Sequence, residues 1–574
     1  MREIVIISGR LCTGKSGLAR ALRDEFGYTL VKSSHLLEKL ATTRGTTSGR
    51  SSLQSLGDAI DRESNGKWLL EAVLAEAKSL ASDANVVVDN VRNWDQLDHF
   101  RRDHGIRLVH VHLYARRDEL LRRFEKKHVG SSTDAKNRYE EADLLKNEAD
   151  VHRFRNDADV RINVERTDTR DNLVRVAARL GLYSPPGVRS VDVIVGGQFG
   201  SEGKGHIAGY LARDYDVLVR VGGPNAGHSV SSSSGVYVYH QLPSGTKDSR
   251  AIVLLGPGMT LDLDGLKQEI DECELGPERL FIDPQAMIIE AEDKLTEGGI
   301  VTAIGSTGRG GGAAAARRIL NRRPGVTRLA RDVSWLKPYV GSAPHYRGST
   351  VRQLEIAYRA GLTILVEGTQ GSGLSIFHGQ YPFVTSRDTN VAGCLAEAGI
   401  SPSRVRRILM VVRATPIRVG NPDPPPTQVL GPGFELELAT SGELRHETTF
   451  EEIAKHANID PTELAENEKT STTKRMRRVG WFDWELFRTA CALNAPTDIV
   501  LTFADYFGKD NREARRFEQL NQDTIKFVEE LERVAQAPVS LVNTRFPRTD
   551  GERLDLRSVI DRRNWTTRRT RLPR

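Results

Sequence analysis

Two glycine-rich loops hold the residues best suited to phosphate chemistry. The first is Gly9-Arg10-Leu11-Cys12-Thr13-Gly14-Lys15-Ser16, with four residues between its glycines and Lys-Ser at its end. In a loop of this spacing the backbone N–H groups cradle phosphate oxygens, Lys15 reaches the β/γ oxygens, and the Ser16 hydroxyl binds Mg²⁺. Gly9, Gly14, Lys15 and Ser16 are therefore candidate nucleotide-binding residues. The second loop is Gly196-Gly197-Gln198-Phe199-Gly200-Ser201-Glu202-Gly203-Lys204-Gly205. Its spacing differs, but glycines that let N–H groups close on an anion, with a lysine to balance charge, point to the same kind of ligand.

Each loop needs a strand before it and a helix after it. Ile4-Val5-Ile6-Ile7 and Ser16-Gly17-Leu18-Ala19-Arg20-Ala21-Leu22 supply these for the first loop. Val191-Asp192-Val193-Ile194-Val195 and a helix expected from His206 to Arg213 do so for the second. Val86-Val87-Val88-Asp89 reads as another buried strand and places Asp89 where a carboxylate meets Mg²⁺. Leu108–Leu113, the basic helix Arg116–Arg123 and the strand Ala158–Asn163 complete an alternation that implies a parallel sheet with helices on both faces. The prolines and glycine of 183–190 mark a linker. The expected organisation is α/β throughout: a domain at 1–182, a large domain at 191–561, and a basic tail at 562–574. Ser231 to Gly235 reads as a hairpin tip and Pro422 to Pro426 as a stiff exposed loop.

The bulk numbers narrow the class. A 574-residue chain that is 39% hydrophobic and 28% charged is an ordinary globular composition. The net charge of +6, the difference between 82 basic and 76 acidic residues, is too small to imply a nucleic-acid partner, though it suits anionic substrates. Cys12, Cys273, Cys394 and Cys491 form no Cys-x-x-Cys pair, so neither disulfides nor zinc are expected. The absence of a long apolar run and of room for a signal peptide before the first strand predicts a cytoplasmic chain without a membrane partner.

In the first 182 residues, the phosphate loop, Asp89-Asn90-Val91-Arg92-Asn93, the arginine cluster and the Ala-Asp-x-x-Ile-Asn strand resemble the nucleoside monophosphate kinases. Arg92, Arg116, Arg117, Arg122 and Arg123 suit a phosphate clamp or, equally, a solvated helix face.

The second loop has companions. They are Gly222-Gly223-Pro224-Asn225-Ala226-Gly227-His228-Ser229, Ile304-Gly305-Ser306-Thr307-Gly308-Arg309-Gly310, Val366-Glu367-Gly368-Thr369-Gln370-Gly371, His378 to Ser386, and Thr472 to Trp481. In this order, across 191–545, they resemble adenylosuccinate synthetase. The resemblance implies a ligase that uses a purine monophosphate, L-aspartate, a nucleoside triphosphate (ATP or GTP) and Mg²⁺. It further implies that the 6-oxygen of the purine takes a phosphoryl group, which the amine of L-aspartate displaces. Lys204 and His228 match catalytic positions, and the Gly227 carbonyl matches a magnesium ligand. Asn225, Thr307, Gln370 and Thr385 match the purine monophosphate site. Arg317 matches an arginine that reaches that phosphate from a neighbouring subunit, which would imply a homodimer. Thr473, Arg475 and Arg477 match the grip on L-aspartate, and Asp505 matches the acid that reads guanine in the triphosphate.

One position departs. The family's loop carries aspartate where this chain has Ser201, and that aspartate removes the N1 proton and binds magnesium. A serine hydroxyl is too weak a base for the task near neutral pH. Either the domain is a purine-nucleotide sensor, or its purine has changed. Ser201 resembles the phage-type 2-aminoadenylosuccinate synthetases, which take dGMP: a short neutral side chain leaves room for the N2 amine of guanine and still offers it a hydrogen bond. The reading favoured here is dGMP or GMP, with an ordinary synthetase acting on IMP with GTP as the alternative. Glu202 or a water is the expected substitute for the missing base.

Overall fold

A computed structural model describes the whole chain except residues 1, 46–49, 81–83, 92, 128–138, 140–153, 233–234, 344, 422–439, 470–475, 546–548, 551–552, 555–557 and 567–574. Two compact units divide it, Met1–Tyr183 and Ser184–Arg574.

The first unit is built on five parallel strands. Their spatial order is Thr29–Lys32, Val86–Asp89, Arg2–Ser8, Ile106–Tyr114, Val160–Asn163. The Ile4–Ile7 run is buried on both faces: Ile4 and Ile6 pack into one core cluster, Val5 and Ile7 into the other. This is the period-two alternation of a central strand covered on both sides. Helix Lys15–Phe26 follows the phosphate loop, packs Leu18, Ala19 and Leu22 against the second cluster, and ends on Gly27 in the left-handed conformation.

The second unit is a nine-stranded sheet. Its order is Leu280–Ile282, Ile252–Leu255, Val217–Arg220, Ile364–Glu367, Val191–Gly196, Val405–Arg413, Asp498–Thr502, Val539–Asn543 and Val559–Asp561. Every pairing is parallel except the last, which is antiparallel. Val191, Val193 and Val195 enter the largest core cluster, and Ile194 enters the cluster on the opposite face. Because neighbouring strands run the same way, the segments after Gly196, Arg220, Glu367, Arg413 and Thr502 all leave at the same edge of the sheet. Ligands of open α/β sheets bind at such an edge. A hairpin pairs His228–Ser232 with Gly235–Tyr239, in the place the sequence suggested. A small antiparallel sheet joins Ile417–Val419, Arg477–Gly480 and Glu447–Thr448.

Three expectations need adjusting or fall outside the description. The helix after the second loop runs Lys204–Leu211 and continues as a 3₁₀ turn, because Gly203 (φ 82°) caps it two residues earlier than expected. The start of the basic tail is tied down: Arg562 pairs with Glu532, and Arg563 with Asp561 and Asp214. The segment read as a linker is held within the second unit, where Arg404 donates to Ser184 Oγ and to the Pro185 carbonyl. The Pro422–Pro426 stretch lies outside the described residues. Among the described residues no helix is long and apolar enough to cross a membrane.

Candidate active site

The second loop is shaped by close approach. A Cβ on Gly196 would lie 2.5 Å from the Gln370 carbonyl and 2.7 Å from the Glu202 carboxylate, so only hydrogen fits there. The chain then turns through Gly200 (φ 86°), Ser201 (φ 54°) and Gly203 (φ 82°). Ser201 is thus a non-glycine residue in the left-handed region, exposed, with its carbonyl accepting from Arg413 Nη1 at 3.4 Å.

Glu202, expected as a candidate base, faces inward. Its carboxylate is fully buried, accepts from the N–H groups of Gln198 (3.1 Å) and Gly200 (2.8 Å), and pairs with Lys204 Nζ at 2.5 Å. It holds the loop closed and does not line the cavity beyond it. Lys204 does line that cavity, with its ammonium already balanced by Glu202.

The cavity has a volume of about 860 Å³. It gathers Ser201, Lys204, Asn225, Gly227, His228, Thr307, Gln370, Thr385, Arg477 and Asp505, residues from seven separate stretches of sequence. Asn225 Oδ1 and Gln370 Oε1 are buried without a hydrogen-bond partner, which is how acceptors waiting for a ligand present themselves. Thr473 and Arg475 lie outside the described residues. Arg317 does not line the cavity; its guanidinium is bound by Asp293 through two hydrogen bonds (3.0 and 2.8 Å) and by the Ile288 carbonyl.

His228 is oriented by two residues that are not among the expected site positions. Its Nδ1 lies 2.5 Å from Glu367 Oε1, and Arg220 pairs with Glu367 Oε2 at 3.0 Å and approaches Nδ1 at 2.8 Å. Ser244 adds two further hydrogen bonds to the same carboxylate. Against the effect of burial, Arg220 and His228 hold the Glu367 carboxyl at about 2. Burial, helped by Arg220 and opposed by Glu367, brings His228 down to about 4. The ring is therefore neutral at pH 7, its Nδ1–H is committed to Glu367, and Nε2 is the atom left for a ligand. The signal in sequence was a charge inside an apolar strand: Arg220 closes Val217–Arg220 and Glu367 closes Ile364–Glu367, yet both are buried.

Asp505 sits in the cavity wall with Oδ2 accepting from Arg512 at 3.1 Å and Oδ1 buried without a partner. Burial raises its carboxyl to about 6, opposed by Arg512. Beside it, Arg413 is fully buried, stacks on Phe503 at 4.1 Å and pairs with Glu468 at 2.5 Å.

In the first unit the phosphate loop is also built on glycine geometry. Gly9 (φ 141°) would drive a Cβ into the Leu113 carbonyl, and Gly14 (φ 94°) caps the helix. Lys15 Nζ donates to the carbonyls of Gly9 (2.6 Å) and Arg10 (3.0 Å), while Ser16 is exposed. Asp89 ends its strand, buried, next to the strand that leads into the loop. The arginine cluster is largely engaged with acids: Arg122 and Arg123 pair with Glu119, and Arg116 with Glu165. Arg92 lies outside the described residues.

Fold and site together are those of an α/β protein with a glycine-rich, lysine-bearing loop and a polar cavity at one edge of a parallel sheet. The sequence model of adenylosuccinate synthetase matches residues 193–332 and 327–509, and that of an AAA domain matches residues 5–145. The adenylosuccinate synthetase of Pyrococcus horikoshii is 32% identical over 380 residues, covering 65% of this chain and 98% of its own. That of Methanocaldococcus jannaschii is 32% identical over 360 residues, covering 61% and 93%. Among solved structures, fully ligated adenylosuccinate synthetase from Plasmodium falciparum aligns with a TM-score of 0.52 at 20% identity, covering 65% of this chain and all of its own. The succinoaminodeoxyadenylate synthetase of cyanophage S-2L, bound to dGMP and dATP, aligns with a TM-score of 0.49 at 27% identity, covering 65% and 95%. The chain belongs to the adenylosuccinate synthetase family, ligases that form a C–N bond, and carries a kinase-like P-loop unit ahead of the ligase.

Proposed function

We propose that residues 191–561 join the amine of L-aspartate to C6 of dGMP or GMP at the expense of a nucleoside triphosphate. The product is the N6-succinyl-2-aminopurine nucleotide. The observation that carries this reading is Ser201: a short, neutral, exposed side chain at the cavity wall where a carboxylate would otherwise stand. A neutral hydroxyl leaves space beside N1 for an exocyclic amine and accepts its hydrogen bond. The unpartnered acceptors of Asn225 and Gln370 suit the N–H-rich edge and ribose of such a nucleotide, with Thr307 and Thr385 beside them.

In the reaction, the O6 of the purine attacks the γ-phosphorus and the bond to the nucleoside diphosphate breaks. The amine of L-aspartate then adds to C6 and phosphate leaves. Lys204 meets the charge of the transferring phosphoryl group, and His228, held through Nδ1 by Glu367, takes a proton on Nε2 as the bound phosphates bring negative charge to the site and donates it to the oxygen. Arg477, with Thr473 and Arg475, holds a carboxylate of L-aspartate. Asp505 presents an acceptor to the N–H edge of a guanine, which favours GTP over ATP. With Glu202 turned inward, the N1 proton goes to a bound water.

Among the described residues no group of three or more His, Cys, Asp or Glu side chains could hold a metal. The Gly227 carbonyl and Ser201 hydroxyl are hard oxygen donors of the kind Mg²⁺ accepts beside substrate phosphates and waters, so the ion would be held mainly by the phosphates. Bound there, it would neutralise phosphoryl charge. In the first unit Ser16 and Asp89 are the corresponding candidates, for phosphoryl transfer to a nucleoside monophosphate.

A homodimer is part of the proposal, carried by the match at Arg317; the exposed apolar side chains Leu295, Leu320, Phe377 and Tyr381 would suit an interface. On that arrangement Arg317 would serve the neighbouring site.

The test is turnover of dGMP, GMP and IMP in turn, with L-aspartate, Mg²⁺ and either ATP or GTP, followed by detection of the succinyl-purine. Turnover of IMP alone refutes the 2-aminopurine reading, and no turnover leaves a nucleotide sensor. Ser201→Asp should shift preference toward IMP by at least tenfold. The left-handed backbone there accepts aspartate readily, so a misfolded loop is not the expected outcome.

A further inference from the structure

Glu468 is a carboxylate at 1% exposure with four donors around it. Arg413 Nη2 and Tyr506 OH each donate to Oε1 at 2.5 Å, and Arg413 Nη1 (3.4 Å) and Arg477 Nη1 (3.3 Å) donate to Oε2. Among the described residues, two guanidinium groups thus share one acid. Arg413 is wholly enclosed, whereas Arg477 lines the cavity. Arg413 is the tight partner and Arg477 the loose one.

Within this cluster Arg413 and Arg477 outnumber Glu468 by one charge, while in the same cavity wall Arg512 is shared by Asp505 and Glu463. Burial, with Arg413 adding to it, holds Arg477 below the ordinary guanidinium value although Glu468 pulls the other way. A guanidinium has five N–H donors in a fixed fork, so Arg477 can keep one on Glu468 and offer the opposite edge to a second carboxylate.

We propose that Glu468 is the positioning residue for the amino-acid substrate: anchored by Arg413 and Tyr506, it orients Arg477 so that a carboxylate of L-aspartate completes the cluster from the cavity side. This rests on the L-aspartate-condensing reading above.

Glu468→Gln is the informative change. An amide has one acceptor oxygen. Arg413 and Tyr506 both claim the side where Oε1 lies, which leaves the NH₂ facing Arg477, donor against donor. Arg477 is displaced while the size of the side chain is kept. The expected result is a rise of about tenfold in KM for L-aspartate, with KM for the purine monophosphate and the triphosphate changed less than twofold. In an Arg477→Leu background, Glu468→Gln should add less than twofold, because the residue it acts through is gone. Glu468→Asp keeps the charge that compensates buried Arg413 and only retracts it. That variant should raise the same KM about threefold even if the glutamine variant fails to fold. All assays use the full chain and whichever 6-oxopurine monophosphate the wild type consumes. An unchanged KM for L-aspartate in both Glu468 variants, or a full additive effect in the Arg477→Leu background, overturns the role of Glu468 alone. Failure of the wild type to consume L-aspartate with any purine overturns this proposal together with the functional reading.

Discussion

Asp505 should cost the protein stability in exchange for base recognition, and the cost can be worked out. In an unfolded chain its carboxyl titrates near 3.8, and in the folded protein burial moves it to about 6. A folded-state value above the unfolded one means that the native state binds the proton more strongly. The stability contribution is therefore fully present below pH 3.8 and is lost as pH rises through 6. A shift of about two units corresponds to about 3 kcal/mol at neutral pH, and about 1 kcal/mol at pH 4.5, where most unfolded chains but few native ones have lost the proton. Asp505→Asn keeps an oxygen for Arg512 and removes the ionisation. It should be more stable than the wild type by about 3 kcal/mol at pH 7.5 and by about 1 kcal/mol at pH 4.5. In a unit of this size that is a rise in Tm of about 3 to 6 °C at the higher pH. The same variant should lose about a hundredfold in kcat/KM for GTP, because an amide mismatches the two N–H donors of guanine. Thermal melts at the two pH values, paired with GTP and ATP kinetics, check both halves. A variant less stable at pH 7.5, or a stability gap that does not change with pH, would refute the reasoning about burial. Unchanged GTP kinetics would refute the role in recognition.

Other outcomes follow from the same geometry. Lys15→Ala should abolish any phosphoryl transfer by the first unit while succinyl-purine formation continues unchanged, a comparison made in one preparation with two assays. Glu367→Gln strands Arg220 at 0% exposure without its counter-charge; denaturant unfolding should show a loss of about 3–5 kcal/mol, and ligase turnover should fall below a hundredth of wild type as the His228 ring loses its fixed tautomer. Gly196→Ala should eliminate turnover, because the added methyl meets the Gln370 carbonyl and the Glu202 carboxylate together, and soluble protein with normal kinetics would contradict the packing described.

How far the sequence reached can be judged residue by residue. The strands before both loops were legible because each is a β-branched run with glycines behind it, and parallel strands buried on both faces leave that mark. The cavity residues Asn225, His228, Thr307, Gln370, Thr385 and Asp505 were legible through their motif order, and they converge because the parallel strands they follow, or pack beside, end at one edge. The ion pairs were not legible. Glu367 lies 139 positions from His228, and Glu468 55 positions from Arg413. No local pattern encodes partners so distant; the fold brings the His228–Ser232 hairpin to the end of the Ile364–Glu367 strand, and the end of helix Pro461–Asn467 to the end of the Val405–Arg413 strand. Glu202 misled for a different reason. Its spacing in the loop resembles that of a residue facing a ligand, but the left-handed turn at Ser201 rotates the next side chain into the protein.

That turn bears on how such a loop changes its chemistry over generations. Few side chains rest easily at φ 54°; glycine, asparagine and aspartate are the ones that do so routinely, and serine is small enough to follow. Aspartate and serine codons are connected, by single-base steps, through asparagine or glycine. Every stop on either route is a residue this backbone already tolerates. A lineage can therefore pass between an acidic and a neutral loop without an unfolded ancestor in between, and the selectivity of the pocket can drift while the scaffold stays still.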